Sequence, residues 1–80
     1  MNLVLYYQPF CPYCQRVLRV VEQLKAPLEL KNIQESSASL EELKRLTGKT
    51  QVPCLVIDGK PMLESEDISR WLEEHYAASK

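Results

Sequence analysis

Two cysteines separated by a proline and a tyrosine, Cys11-Pro12-Tyr13-Cys14, stand where an apolar run ends and a helical pattern begins. No other feature of the 80-residue chain constrains its fold and chemistry as much. Before the pair, Leu3-Val4-Leu5-Tyr6-Tyr7 is continuously apolar and aromatic and is stopped by Pro9, which reads as a short buried strand. After it, Cys14, Val17, Leu18, Val21 and Leu24 recur at the three-and-four spacing of one helical face, with Arg16, Arg19, Glu22 and Lys25 between them. Pro12 suits a first turn, and Pro27 is expected to halt the helix after Ala26. Cys11 therefore falls at the mouth of a helix and Cys14 one turn inside. The unpaired N–H groups and the dipole of a helix start favour negative charge at Cys11, and thiolate is the attacking species in disulfide exchange. Cys14, on the apolar face, is expected to keep its proton and act second. The bland alternative is two idle thiols, one packed as a small hydrophobe. A two-residue gap at a strand-to-helix junction favours redox chemistry over it.

The remaining composition narrows the setting. A third cysteine, Cys54, stands alone, and an odd number argues against a paired disulfide framework of the secreted kind. Zinc would need four ligands, and Cys54 and His75 are the only other soft donors, so no metal site is expected. Ten Lys and Arg against eleven Asp and Glu leave a net charge of -1. That balance excludes broad electrostatic capture of nucleic acid or of an anionic membrane. Apolar stretches fall far short of the roughly 20 residues a spanning helix needs, and the amino terminus lacks a basic segment followed by an apolar one. The chain reads as one soluble, unexported, cytoplasmic domain over residues 1–80, and as a monomer.

Further along, Leu28-Glu29-Leu30-Lys31-Asn32-Ile33 alternates apolar and polar residues, the pattern of a second strand. Ser39 with Glu42 three residues later forms a capping-box pattern ahead of Leu40, Leu43 and Leu46, and Gly48 closes that helix. Cys54-Leu55-Val56-Ile57 is a third strand. Asp58-Gly59 is a strong two-residue hairpin signal, so Lys60 to Leu63 is expected to return antiparallel. Ser65 is expected to cap a last helix whose buried side carries Ile68, Leu72 and Tyr76. The order β-α-β-α-β-β-α gives an α/β domain with a four-stranded mixed sheet and three helices, the minimal thioredoxin-like architecture. Other small α/β folds share the order.

With these elements in place, Tyr7-Gln8-Pro9-Phe10-Cys11-Pro12-Tyr13-Cys14 resembles the active-site segment of dithiol glutaredoxins. Gln51-Val52-Pro53 is similar to the segment that carries the cis-proline of that superfamily. Where glutaredoxins usually have a Gly-Gly pair, this chain has Leu63-Glu64, and Glu64-Ser65 with Ile68 resembles instead the glutathione-binding half of glutathione transferases. The resemblance spans nearly the whole chain. It implies that Cys11 is the nucleophile and Cys14 the resolving thiol, and that Val52 pairs its backbone with the cysteinyl part of glutathione. It further implies that Ser65 and the start of the last helix hold the γ-glutamyl carboxylate, a role that physics allows at any helix N-terminus and that is compatible with simple capping. Glu64 would meet the γ-glutamyl ammonium, or else stand as a solvated charge. Tyr13 would line the groove beside Cys11. Gln8 stands where the family commonly has a lysine for the glycyl carboxylate, and Lys49 or Gln51 offers a replacement contact.

The function these readings imply is a glutathione-dependent thiol-disulfide oxidoreductase that reduces protein disulfides and glutathionylated proteins, with glutathione as co-substrate and no bound cofactor. The rival in another class is a scaffold holding an iron-sulfur cluster between subunits, against which Pro12 argues by stiffening the turn. A transferase acting on electrophiles would resemble the chain at Glu64-Ser65 but would need a second, helical domain. Cys54 reads as an inert core residue or, as the minority view, a regulatory thiol. Phe10 is expected either to stand exposed as part of a docking surface or to pack on the last helix. Trp71 is expected at the core edge, and His75 in solvent or at the helix end.

Overall fold

A computed structural model describes residues 2–76. The elements follow in the order β1 (Leu3–Tyr7), α1 (Pro12–Leu24), β2 (Glu29–Asn32), α2 (Ser37–Thr47), β3 (Cys54–Ile57), β4 (Lys60–Met62) and α3 (Ser65–Tyr76). The strands form one sheet in the order β2-β1-β3-β4, with β1 parallel to β2 and antiparallel to β3, and β4 antiparallel to β3. This is the mixed sheet and three-helix arrangement that the sequence pattern implies.

β1 is apolar throughout because it is a central strand covered on both faces. Alternate side chains point to opposite sides. Leu3 and Leu5 join Leu55, Val17, Ile68 and Leu72 in a core beneath α1 and α3. Tyr6 joins Ile33, Leu43, Cys54 and Val56 in a second core on the face that α2 covers. That second face is tied by a polar clasp, in which the Tyr6 hydroxyl and the Lys31 ammonium both donate to Glu42 Oε1, at 2.9 and 2.8 Å. The ion pair holds the Glu42 carboxyl below its usual range and the Lys31 ammonium above its own, while burial, aided by the Glu42 bond, pushes the Tyr6 hydroxyl up.

Several boundaries differ from the sequence reading, each for a local reason. α1 ends at Leu24 rather than Ala26, because Lys25 turns into the left-handed region (φ 53°). The Lys25 N–H then bonds Glu22 O and the Ala26 N–H bonds Val21 O, the two bonds of a Schellman stop. Pro27 acts one residue too late to be the terminator, although it disfavours helical backbone at Ala26. β2 is confined to Glu29–Asn32, and as an edge strand it leaves Leu30 half exposed. Leu28 and Ile33, outside the strand proper, pack into opposite cores.

The expected capping box at Ser39 and Glu42 is also corrected. Ser36 is the N-cap of α2, its Oγ accepting from the Ser39 N–H at 3.1 Å, and Ser39 is buried within the first turn. Gly48 closes α2 in the left-handed region, its N–H bonding Lys44 O at 2.7 Å. Asp58 and Gly59 both take positive φ, 49° and 87°, as the tight hairpin turn requires. β4 stops at Met62, one residue short of expectation. Ser65 is the first residue of α3 rather than its cap; the carbonyl of Glu64 accepts the Ile68 N–H at 2.8 Å, which puts Glu64 in the cap position.

Candidate functional site

The site is assembled where three chain segments meet at one end of the strands: the loop from β1 into α1, the segment before β3, and the start of α3. Cys11 is the N-cap of α1, in extended backbone (φ -89°, ψ 121°), and its side chain makes no capping bond. Its carbonyl accepts the Gln15 N–H at 2.9 Å, so the helix begins directly on it. Pro12 at the first helical position removes one orphan donor and presets the helical φ. The N–H groups of Tyr13 and Cys14, lacking intrahelical acceptors, are left at the end of the helix that carries Cys11.

The loop before Cys11 is held from within. The Gln15 side-chain amide donates to Pro9 O at 3.0 Å, and the Cys11 N–H reaches Gln8 O at 3.4 Å. The Gln8 N–H in turn donates to Cys14 Sγ at 3.5 Å. The two thiols of the pair differ sharply in environment. Cys11 is partly exposed, while Cys14 is fully buried. Burial pushes the Cys14 thiol up to about 12, against the pull of the Gln8 N–H, and the hydrogen bond its own S–H donates toward the neighbouring Cys11 sulfur adds to the rise. Cys14 is thus a protonated thiol packed one turn inside, as its apolar-face position implies.

Beside the pair lies an open groove of about 230 Å³ lined by Tyr13, Gln51, Val52, Pro53, Leu63, Glu64 and Ser65. The Val52-Pro53 peptide bond is cis and Pro53 is buried. Tyr13, 62% exposed, forms one wall from the first turn of α1, and Glu64 and Ser65 bring the start of α3 to the other. All six residues singled out for glutathione contact (Tyr13, Gln51, Val52, Pro53, Glu64 and Ser65) therefore share one groove. Leu63 is the lining residue that the sequence reading did not select. Its position directly before Glu64, in the place of a glycine, was the available signal.

Elsewhere, Cys54 is fully buried in the second core, and burial pushes its thiol up to about 11. Trp71 packs at the edge of the first core, and the exposed His75 ring stacks on it at 3.9 Å while bonding Trp71 O at 2.8 Å. Phe10 stands in solvent, 84% exposed.

A strand, a Cys-Pro-Tyr-Cys helix start, a cis-proline and a second helix start converging on one groove define a dithiol protein of the thioredoxin fold. Comparison with known sequences narrows the class. The sequence profile of the glutathione S-transferase N-terminal domain matches residues 5–80. A probable glutaredoxin of Acanthamoeba polyphaga mimivirus is 31% identical, over 94% of this chain and 81% of its own length. A glutaredoxin of Haemophilus influenzae is 29% identical, over 95% of each chain. Among solved structures, glutathione transferase Omega 3C of Trametes versicolor superposes with a TM-score of 0.82 at 27% identity, covering all of this chain and 36% of that one. The chain spans little more than a third of the length of that transferase and of an unclassified glutathione S-transferase from Bombyx mori. It belongs to the glutaredoxin- and glutathione-transferase-like family of thioredoxin-fold proteins.

Proposed function

We propose that the chain is a glutathione-dependent thiol-disulfide oxidoreductase acting on glutathionylated proteins, low-molecular-weight mixed disulfides and protein disulfides. The observation that carries the reading is the placement of Cys11, at the N-cap position of α1, beside the groove of Tyr13, Val52, cis-Pro53, Glu64 and Ser65 at one end of the strands. Glutaredoxin and transferase relatives support glutathione as the co-substrate.

The chemistry follows from the two thiol environments. With the glutathionyl half of a mixed disulfide in the groove, Cys11 thiolate attacks its sulfur. A Cys11–glutathione disulfide forms, the substrate disulfide breaks, and the other half leaves as a thiol after taking a proton. A second glutathione, as thiolate, attacks the glutathionyl sulfur on Cys11, releasing glutathione disulfide and restoring Cys11. Val52 would present its backbone to the cysteinyl part of glutathione as an added strand does. The start of α3 and Ser65 would take the γ-glutamyl carboxylate, with Glu64 facing its ammonium.

For a protein disulfide, Cys11 forms the mixed disulfide first. Cys14 then displaces the protein thiol, closing a Cys11–Cys14 disulfide that two glutathiones reduce. Because Cys14 is held protonated by burial, it must lose its proton to attack, which makes ring closure dependent on pH. Glutathione mixed disulfides, by contrast, need Cys11 alone. The reading fits a monomer in a reducing compartment such as the cytoplasm.

The test is reduction of a small glutathione mixed disulfide coupled to glutathione reductase and NADPH. Turnover by wild type, lost in Cys11→Ser and kept in Cys14→Ser, supports the assignment. Absence of wild-type turnover contradicts it.

A further inference from the structure

We infer that Phe10 is the docking residue for the polypeptide half of a glutathionylated substrate, and that it selects proteins with an apolar side chain beside the modified cysteine. The inference rests on the glutathione reading above and adds a substrate preference to it.

The first observation is that Phe10 has no structural employment. It occupies the position just before the N-cap of α1, where a hydrophobic residue ordinarily packs onto the fourth helical residue as a staple. In this chain the fourth helical residue is Gln15, whose amide is spent on Pro9 O. Phe10 finds no such partner and remains 84% exposed, the most exposed of the large apolar side chains recorded as exposed. An aromatic ring held in water on a loop braced by hydrogen bonds is a typical anchor for a partner's apolar side chain.

The second observation is position. Phe10 is covalently adjacent to the nucleophile, so their Cα atoms are about 3.8 Å apart. It does not line the glutathione groove, whose wall on α1 is Tyr13. The two exposed aromatic residues of the segment thus divide the surroundings of Cys11 between them, one lining the groove and one outside it.

The third is the geometry of the reaction itself. Cys11 Sγ attacks the glutathionyl sulfur, the Cys11–glutathione bond forms, and the bond to the peptide sulfur breaks with the peptide leaving as thiolate and then thiol. In the reactant the peptide sulfur is bonded to the glutathionyl sulfur at about 2.05 Å, so it lies within a few ångströms of Cys11. Glutathione fills the groove, so the peptide must run over the surface outside it. At about 3.3–3.6 Å per residue, the neighbour of the modified cysteine comes within range of the residue next to Cys11, which is Phe10. The partner is therefore a polypeptide with an exposed glutathionylated cysteine next to Leu, Ile, Val or an aromatic residue.

The experiment compares wild type, Phe10→Ala and Phe10→Leu on three substrates: the glutathione mixed disulfide of 2-mercaptoethanol, and two glutathionylated pentapeptides carrying Leu or Gly on both sides of the cysteine. The expected result is a KM lower for the Leu peptide than for the Gly peptide in wild type. Phe10→Ala should raise the Leu-peptide KM about five- to tenfold, leave kcat and the other two substrates within about twofold, and be largely rescued by Phe10→Leu. Equal losses on all three substrates would assign Phe10 to loop geometry and overturn the proposal. So would equal wild-type KM values for the two peptides, or a Phe10-dependent dimer in sedimentation, which would make a second copy the partner. Failure of wild type on the small mixed disulfide overturns the underlying glutathione reading and the inference with it. Turnover of that substrate without peptide discrimination removes the inference alone.

Discussion

The starts of α1 and α2 are built from the same backbone geometry and put to different ends. Both N-cap residues are in extended backbone, and neither helix has an acidic residue in its first turn. At α2 the cap is Ser36, whose oxygen takes the Ser39 N–H at 3.1 Å, and the helix start is closed. At α1 the cap is Cys11, whose side chain makes no capping bond, and the helix start is left open beside a partly exposed sulfur. A cap of the Ser36 kind contributes about 0.5–2 kcal/mol. Forgoing one at α1 gives up that contribution and leaves the first N–H groups of the helix without a side-chain acceptor. One of the two helix starts serves the fold, and on the proposed function the other serves the chemistry.

That contrast can be broken at either end. The largest effect is expected from Cys11→Ser, which should lower turnover of a glutathione mixed disulfide by about three orders of magnitude or more, since no other thiol shares its position. Steady-state rates in the coupled assay check this.

Next comes the pH response of ring closure. The Cys14 thiol is pushed up to about 12, so its thiolate is scarce at neutral pH and grows about tenfold with each pH unit below that value. The rate at which a preformed Cys11–glutathione disulfide closes onto Cys14, followed by stopped-flow without free glutathione, should climb accordingly between pH 6 and 9. A flat profile would show Cys14 ionised already.

Smaller effects concern the caps. Ser36→Ala should destabilise the protein by about 1 kcal/mol in urea denaturation and leave the assay unchanged, because α2 lies away from the groove. The smallest change sharpens the contrast most. Cys11→Ser places a good capping oxygen at the open helix start and should raise stability by about 0.5–1 kcal/mol while removing activity. A loss of stability in that variant would mean that the sulfur itself supports the fold.

How much of this was legible in the chain follows from the range of the forces involved. β1 and β3 are set by continuous apolar runs and α1 by apolar periodicity, and the 58–59 turn and the Gly48 stop by backbone freedom that few residues supply, so these could be read locally. Helix ends could not be read as well. Ser36, Ser37 and Ser39 all suit a cap by residue type, and in the fold it is the Ser36 oxygen that takes the Ser39 N–H. Lys25 in the left-handed region has no sequence signal, because glycine or asparagine is the usual choice there.

The site divides in the same way. The cysteine pair is visible because its spacing and its helix start are local. The meeting of Tyr13, Val52, Pro53, Glu64 and Ser65, up to 52 positions apart along the chain, is a product of topology and could be named only through family resemblance. Leu63 escaped because an apolar residue between a strand and a helix looks like core. The exposure of Phe10 was left open because its alternative partner, α3, is distant in sequence.

The central claim is that the open helix start makes Cys11, and neither of the other thiols, the site of exchange. It is tested most directly by incubating Cys14→Ser and Cys11→Ser with glutathione disulfide, quenching with acid, and mapping the adducts by peptide mass spectrometry. The account predicts one glutathione on Cys11 in the first variant, and none on the buried Cys14 or Cys54 in the second. Rapid modification of Cys14 or Cys54 when Cys11 is absent, or an unmodified Cys11 when it is present, would contradict it.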